Sequence, residues 1–249
     1  MKLGLIGYGK MGRQIHALAL ERGHEIRTID PQVQEADFKT ISLESLEGVQ
    51  VCIDFTHPTQ AISNLKTVAA LQRSMVMGTT GWLEHLEEAK RIVSASNIGF
   101  IYASNFSLGV NLFFRIAEQA AKVVNPFPEY DVSGVELHHR QKADSPSGTA
   151  KSLADLLIKN LDRKHTAIFA LNNRPVHAQE LHFAAVRCGH IPGTHEIIFD
   201  SAADSISLKH TARNRLGFAA GALRAAEWIA DKKGFFTIDH LLEEMIGKI

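Results

Sequence analysis

Residues 136–150 read ELHHRQKADSPSGTA and place His138, His139, Arg140 and Lys142 within five positions, ahead of Ser147-Gly148-Thr149. Imidazole, guanidinium and ammonium groups all donate protons, and imidazole exchanges them near neutral pH. A helix starting at Ser147 adds free backbone N–H groups and positive potential. That helix end is worth about 0.3–1 kcal/mol to an anion, against roughly 1.5–3 kcal/mol for each charge-assisted bond. The cationic side chains therefore dominate affinity while the backbone orients the ligand, and the expected ligand is a small di-anion. An ordinary hydrogen-bonded histidine is the competing reading for His138 or His139 taken alone. Successive strand residues point to opposite faces, so the two cannot hold one metal in a regular strand. The chain has no H-E-x-x-H or C-x-x-C motif, and no metal is expected.

A second group of residues suits a dinucleotide. Gly7, Gly9 and Gly12 stand in G-x-G-x-x-G spacing between an apolar strand and a helix, with Tyr8, Lys10 and Met11 between them. The first glycine allows the tight turn, the second lets backbone approach a pyrophosphate, and the third permits close helix–strand contact. Asp30 ends the next strand about 20 residues on, where a carboxylate holds ribose hydroxyls. Pro31 and Gln32 follow it, with no adjacent base for a 2′-phosphate. The expected cofactor is therefore NADH, with NADPH as the alternative. Gly78, Thr79 and Thr80, and then Ala103, Ser104, Asn105 and Phe106, close later strands at the same sheet edge. They are candidates for the nicotinamide half, against a reading as ordinary turn residues.

These groups need a frame, and hydrophobic periodicity supplies one. Apolar runs at 2–6, 24–29, 49–54, 74–77 and 98–102 predict strands, separated mostly by helical patterns at 10–22, 58–71 and 83–95. The alternation implies an α/β fold: a Rossmann-like, doubly wound parallel sheet. A helix at 107–124, a strand at 130–138, a helix at about 148–161 and strands at 180–187, 195–200 and 205–210 follow. They predict an α+β substrate domain with a mixed sheet. Two closing helices, the last over TIDHLLEEMIGKI, return to the first domain. The expected division is 1–104 with 213–249 for the dinucleotide and 105–212 for substrate, with hinges near Asn105 and Arg213.

The whole chain narrows the function further. Its 249 residues are 45% hydrophobic, and 27 Lys plus Arg balance 27 Asp plus Glu. No net field favours nucleic acid or a membrane surface. No run approaches the roughly 18 apolar residues of a membrane span, and no signal peptide is read at the start. A cytoplasmic location is expected. Cys52 and Cys188 read as separate thiols.

The block VELHHRQKADSPSGTA resembles the signature of the 4-hydroxy-tetrahydrodipicolinate reductase family of lysine and diaminopimelate biosynthesis. GTTG, SNFSLGVN, AVRCGHIPGTHEIIF and LKHTARNRLGFAAGALRAAEWI continue the resemblance in family order across essentially the whole chain. It implies NAD(P)H-dependent reduction of 4-hydroxy-tetrahydrodipicolinate to tetrahydrodipicolinate by a homotetramer. It also implies that His138 is the catalytic acid/base and Lys142 a second donor that holds substrate. His139 would be a substrate ligand, and Gly148 and Thr149 would clamp a substrate carboxylate. Residues Gly7 to Gly12, Asp30, Gly78 to Thr80 and Ala103 to Phe106 would bind the nicotinamide cofactor. Two departures from the family pattern are visible: a glycine loop one residue shorter, closing as Gly9-Lys10-Met11-Gly12, and Ser145 in place of the usual alanine. The rival readings are a different dehydrogenase, acting on an amino or keto acid, and an NADH-binding redox sensor without turnover.

Overall fold

The computed structural model describes residues 1–171 and 173–247. The chain divides into two compact units, Met1–Leu108 together with the stretch from Arg215 on, and Gly109–Asn214.

In the first unit the strands β1 (Lys2–Ile6), β2 (Glu25–Ile29), β3 (Val51–Asp54), β4 (Ser74–Met77) and β5 (Gly99–Tyr102) are joined by a strand from the end of the chain, β11 (Gly234–Thr237). They form one all-parallel sheet in the order β11-β5-β4-β3-β1-β2. Every residue of β3 and β4 is buried, as a sheet covered on both faces requires. Helices α1 (Lys10–Glu21) and α6 (Leu216–Ile229) pack Ile15, Ala19, Ala222 and Leu223 onto Leu3, Leu5 and Ile53. Helices α2 (Pro58–Ala70) and α3 (Leu86–Ser96) contribute Leu65, Val68 and Val93 to a second cluster with Met75, Trp82 and Phe100. Each such large side chain contributes roughly 1.5–3 kcal/mol through burial. Proline at the first position of α2 suits its fixed φ, and His57 caps the helix by accepting from the Thr59 N–H. Residues 31–50 contain no helix; a single bridge, Ile29 to Phe38, steadies them.

The second unit holds β6 (Asp131–His138), β7 (Thr166–Ile168), β8 (Glu180–Arg187), β9 (Thr194–Asp200) and β10 (Ser205–Thr211) in the order β10-β9-β6-β8-β7. β8 runs parallel to β6 and β7, whereas β9 runs antiparallel to β6 and β10, so the sheet is mixed. Helices α4 (Leu108–Val124) and α5 (Gly148–Asn160) cover one face, with Phe113, Leu153 and Leu157 on Val132, Phe183 and Phe199. The alternating burial of β6 follows from that one-sided cover.

The expected parallel sheet and mixed sheet are both present. β7 and β11 were not expected: one is three residues, exposed or half-buried, and the other starts at Gly234, which closes a loop-like DKKG. A 3₁₀ turn at Leu83–His85 precedes α3, which starts at Leu86 rather than 83. The final helix is α7 (Ile238–Ile246); Lys248 and Ile249 of the helix expected there lie outside the described residues.

Candidate functional site

The carboxyl ends of β1, β2 and β3 open onto a cavity of about 720 Å³ whose walls include Gly7, Gly9, Asp30, Lys39, Phe55, Thr56 and His57. Gly7 has φ +92, and a Cβ there would stand 2.3 Å from the Phe55 carbonyl oxygen. A Cβ at Gly12 would stand 2.3 Å from the carbonyl oxygen of Gly7. Only glycine fits either position, so the loop lies flat between strand and helix. Gly9 caps α1 with no side chain over the helix end, which leaves that end open to an anion. These features fit a dinucleotide.

Asp30 accepts the Tyr8 N–H at 2.8 Å on Oδ2, and those of Gln32 and Val33 at 2.8 and 3.1 Å on Oδ1. Burial raises its pKa, but those N–H groups and the Lys39 charge outweigh it and hold the carboxyl below its usual value. Lys39 donates to the carbonyls of Val33 and Gln34 and lines the same cavity. This cation stands nine positions after Asp30, and the directly following Pro31 and Gln32 give no sign of it.

Beneath the cavity Asp54 is fully buried. It accepts from Thr79 Oγ1 at 2.6 Å, Thr56 Oγ1 at 2.8 Å and Asn64 Nδ2 at 2.8 Å. Burial pushes its pKa up, and these donors offset only part of the effect. The Thr79 hydroxyl is thus turned inward, while Thr80 is exposed. Gly78 lies against the Phe55 ring, which a Cβ would meet at 2.2 Å. Ala103 and Phe106 are core residues, Ser104 is exposed, and the Asn105 side chain accepts the Ser107 N–H. Gly7, Gly9 and Asp30 are therefore gathered on the cavity, whereas Gly78 to Thr80 and Ala103 to Phe106 follow β4 and β5 at the same sheet edge without forming its walls.

The second unit concentrates its polar groups where β6 ends. Glu136 and His138, two apart, share the buried face, while His139 is half-buried. Register places His195 of β9 opposite Glu136 and Arg187 of β8 opposite His138. Glu136 has no exposure. Its Oε1 lies 2.9 Å from Arg187 Nη2 and 3.0 Å from the Ser147 N–H. Its Oε2 accepts the Ser147 hydroxyl and lies 3.3 Å from His138 Nδ1 and 3.5 Å from His195 Nε2. Ser147 also caps α5, accepting the Ala150 N–H at 3.1 Å. Lys142 Nζ pairs with Asp144 at 2.7 Å. Gly148 and Thr149 form the first turn of α5, with Gly148 exposed.

Burial would raise the Glu136 carboxyl, yet hydrogen bonds from His195, Ser147 and Arg187 hold it far below the usual carboxylate range. Burial pushes His138 down to about 4. The Glu136 charge works against that fall, and His195, Lys142 and Arg187 add to it. The imidazole is therefore uncharged at neutral pH, beside a permanent carboxylate and under two cations.

Glu136, His138 and His195 also offer three ligand atoms within 4.8 Å of one another, the spacing of a metal set. The carboxylate there is already engaged by a guanidinium, whose charge repels a metal cation, so the arrangement suits proton handling better. Glu136, Arg187 and His195 received no role from the sequence. Glu136 alone carried a signal, as a charged residue on the buried face of an alternating strand.

Two sequence models match: the dihydrodipicolinate reductase N-terminus over residues 1–106 and its C-terminus over residues 109–242. The 4-hydroxy-tetrahydrodipicolinate reductase of Christiangramia forsetii is 36% identical over 246 residues, covering 98% of this chain and 99% of that one. A solved structure of dipicolinate-bound dihydrodipicolinate reductase from Paenisporosarcina sp. TG-14 has TM-score 0.78 and 23% identity, covering 97% of this chain and 99% of the other. An amine dehydrogenase from Mycobacterium smegmatis shares the fold at TM-score 0.57 and 11% identity, covering 96% and 95%.

Proposed function

The chain belongs to the dihydrodipicolinate reductase family, and from that premise we infer that it reduces 4-hydroxy-tetrahydrodipicolinate to tetrahydrodipicolinate with a nicotinamide cofactor, a step of lysine and diaminopimelate biosynthesis. The observation that carries this reading within the molecule is the pairing of two sites. One unit has a glycine-walled cavity suited to a dinucleotide, and the other has a buried imidazole near Lys142 and the start of α5.

The nicotinamide, when bound, supplies a hydride to the unsaturated substrate ring. His138 gives the proton that completes the reduction at the neighbouring carbon. Lys142 leaves Asp144 for a substrate carboxylate, and the N–H groups of Gly148 and Thr149 orient it, with His139 as a further donor. The dicarboxylate neutralises one of the cations that depress His138. Its own charge raises the imidazole's pKa, so that His138 gains its proton when substrate arrives. Gly7, Tyr8, Gly9, Lys10, Met11 and Gly12 hold pyrophosphate and Asp30 the ribose. Gly78 to Thr80 and Ala103 to Phe106 flank the nicotinamide half. Residues 1–104 with 213–249 serve the cofactor and 105–212 the substrate.

NADH is the preferred cofactor, through Asp30, with Lys39 allowing NADPH. The protein is a cytoplasmic homotetramer that binds neither nucleic acid nor membrane. No described helix is long and apolar enough to cross a membrane. The face of the second sheet away from α4 and α5 carries Val135, Leu137, Ala184, Val186 and Ile198, all at least partly exposed, a surface suited to a second copy.

The test is NADH oxidation with enzymatically generated substrate. Turnover is expected, and His138→Gln should lower kcat roughly 10²–10⁴-fold, the range for general acid catalysis, with NADH affinity unchanged. Full turnover in that variant would remove His138 from the mechanism.

A further inference from the structure

The catalytic imidazole has two nitrogens in different surroundings. Nδ1 of His138 is buried, faces the Glu136 carboxylate at 3.3 Å, and has no aligned hydrogen bond. Nε2 faces Gly193, where a Cβ would stand 3.0 Å away. Gly193 has φ +154, at the limit of the range that disfavours a side chain, and the missing Cβ keeps the space before Nε2 open. The carboxylate itself is fixed from three directions: by Arg187 of β8, by the N–H and hydroxyl of Ser147 at the start of α5, and by the ring of His195 on β9. Lys142, in the loop that follows, is the remaining charged group near the imidazole. A carboxylate that already takes donors on both oxygens is a rigid acceptor, and a small rotation of the His138 ring completes the bond.

We propose that Glu136 is the positioning residue of His138: it accepts the hydrogen bond from Nδ1–H and so assigns Nε2, on the side opened by Gly193, as the nitrogen that handles the proton of the reaction. This rests on the reading of His138 as the proton donor. With Nδ1–H pinned to Glu136, the uncharged ring presents a bare Nε2 that takes up a proton when the di-anion binds. It delivers that proton to substrate carbon and returns to the same tautomer. Without the carboxylate, the ring is free to hold its one proton on Nε2 and present no lone pair there. His195 meets the same carboxylate oxygen at 3.5 Å, which keeps Oε2 from turning away.

Long-range proton–nitrogen NMR correlations at neutral pH, with His138 assigned by its loss in His138→Gln, report the tautomer directly. The wild-type protein should show Nδ1–H. Glu136→Gln keeps the shape and can still accept from Arg187 and Ser147, but its amide donates to Nδ1. It should therefore move the His138 proton to Nε2 and lower kcat by roughly a hundredfold or more, with pyridine-2,6-dicarboxylate affinity within threefold and NADH affinity unchanged. An Nε2–H tautomer in the wild type, an unmoved tautomer in Glu136→Gln, or wild-type kcat in that variant would overturn the proposal. Should Glu136→Gln not fold, the wild-type tautomer alone decides. The tautomer measurement needs no substrate, so it is separate from the failure of the underlying reading, which full turnover in His138→Gln would signal.

Discussion

One side chain, Arg187, bonds through Nη2 both to Glu136 Oε1 at 2.9 Å and to the Asp144 carbonyl at 2.7 Å. It thereby ties β8 to the buried acid of β6 and to the loop that carries Lys142. The second bond matters as much as the first, because Asp144 is also the residue that Lys142 pairs with.

Removing that arginine should be costly. Arg187→Met leaves Glu136 charged, buried and short of its cation, a change worth about 3–5 kcal/mol when one partner of a buried pair is lost. Partial exposure of Arg187, 19% of its side chain, places the expected loss at the low end. Urea unfolding measures it. The double variant Glu136→Met/Arg187→Met should recover most of the stability, and a double variant no better than the single would show that the loss arises elsewhere.

Acid should weaken the fold in two phases. His138 is lowered to about 4 from the ordinary 6.5. Its contribution to stability is therefore complete above 6.5 and lost as pH falls towards 4. Glu136 is also lowered, so its share is present above the ordinary carboxylate value and lost below it. Unfolding free energy measured from pH 7 to pH 3 should fall throughout, and His138→Gln should flatten the upper phase. An unchanged slope between pH 6.5 and 4 in that variant would count against the assignment.

Ligand binding should take up protons. A dicarboxylate that raises the His138 pKa gains a fraction of a proton at any pH between the free and bound values. Titration calorimetry of pyridine-2,6-dicarboxylate at pH 6, in buffers of different ionisation enthalpy, should show net uptake that disappears in His138→Gln. Release instead of uptake would mean that the ligand does not load the imidazole.

Lys142→Ala should lower kcat and raise KM together. It should also weaken pyridine-2,6-dicarboxylate roughly 10- to 100-fold, the equivalent of one charge-assisted bond. Wild-type affinity in this variant would place the anion site on other residues.

Cofactor choice should depend on two residues of one cavity. Asp30 opposes a 2′-phosphate and Lys39 attracts one, so Asp30→Ala should narrow the NADH preference and Lys39→Ala should widen it. Steady-state kcat/KM with both cofactors measures this. An NADPH preference in the unmodified protein would reverse the assignment.

The first sheet was readable because β1 and β4 are short apolar runs bounded by turn residues, and the glycine spacing has few physical uses. The second unit's helices and most of its strands were readable for similar reasons. The partners of His138 were not. His195 lies 57 positions from it and Arg187 lies 49, and only the register of β6 between β8 and β9 brings them together. Glu136 was visible as a charge among buried positions, but its neighbours decide whether such a residue is paired. Lys39 was missed for a different reason: without a helix after β2, the chain turns back and sets a residue nine positions on at the same cavity as Asp30.

That return of the chain has its own anchor. Asp37 Oδ2 accepts both the N–H and the hydroxyl of Thr28 at 2.8 Å, and the Phe38 N–H and carbonyl bond to Thr28 and Asp30. The segment from Pro31 to Ala36 is thus a lasso whose neck is knotted to the edge strand. Lengthening such a loop costs only about 0.6 kcal/mol per doubling, and the knot confines the disturbance to the noose. The stretch from Pro31 to Ala36 is therefore a replaceable cassette: its residues can be exchanged while the register of the sheet stays fixed.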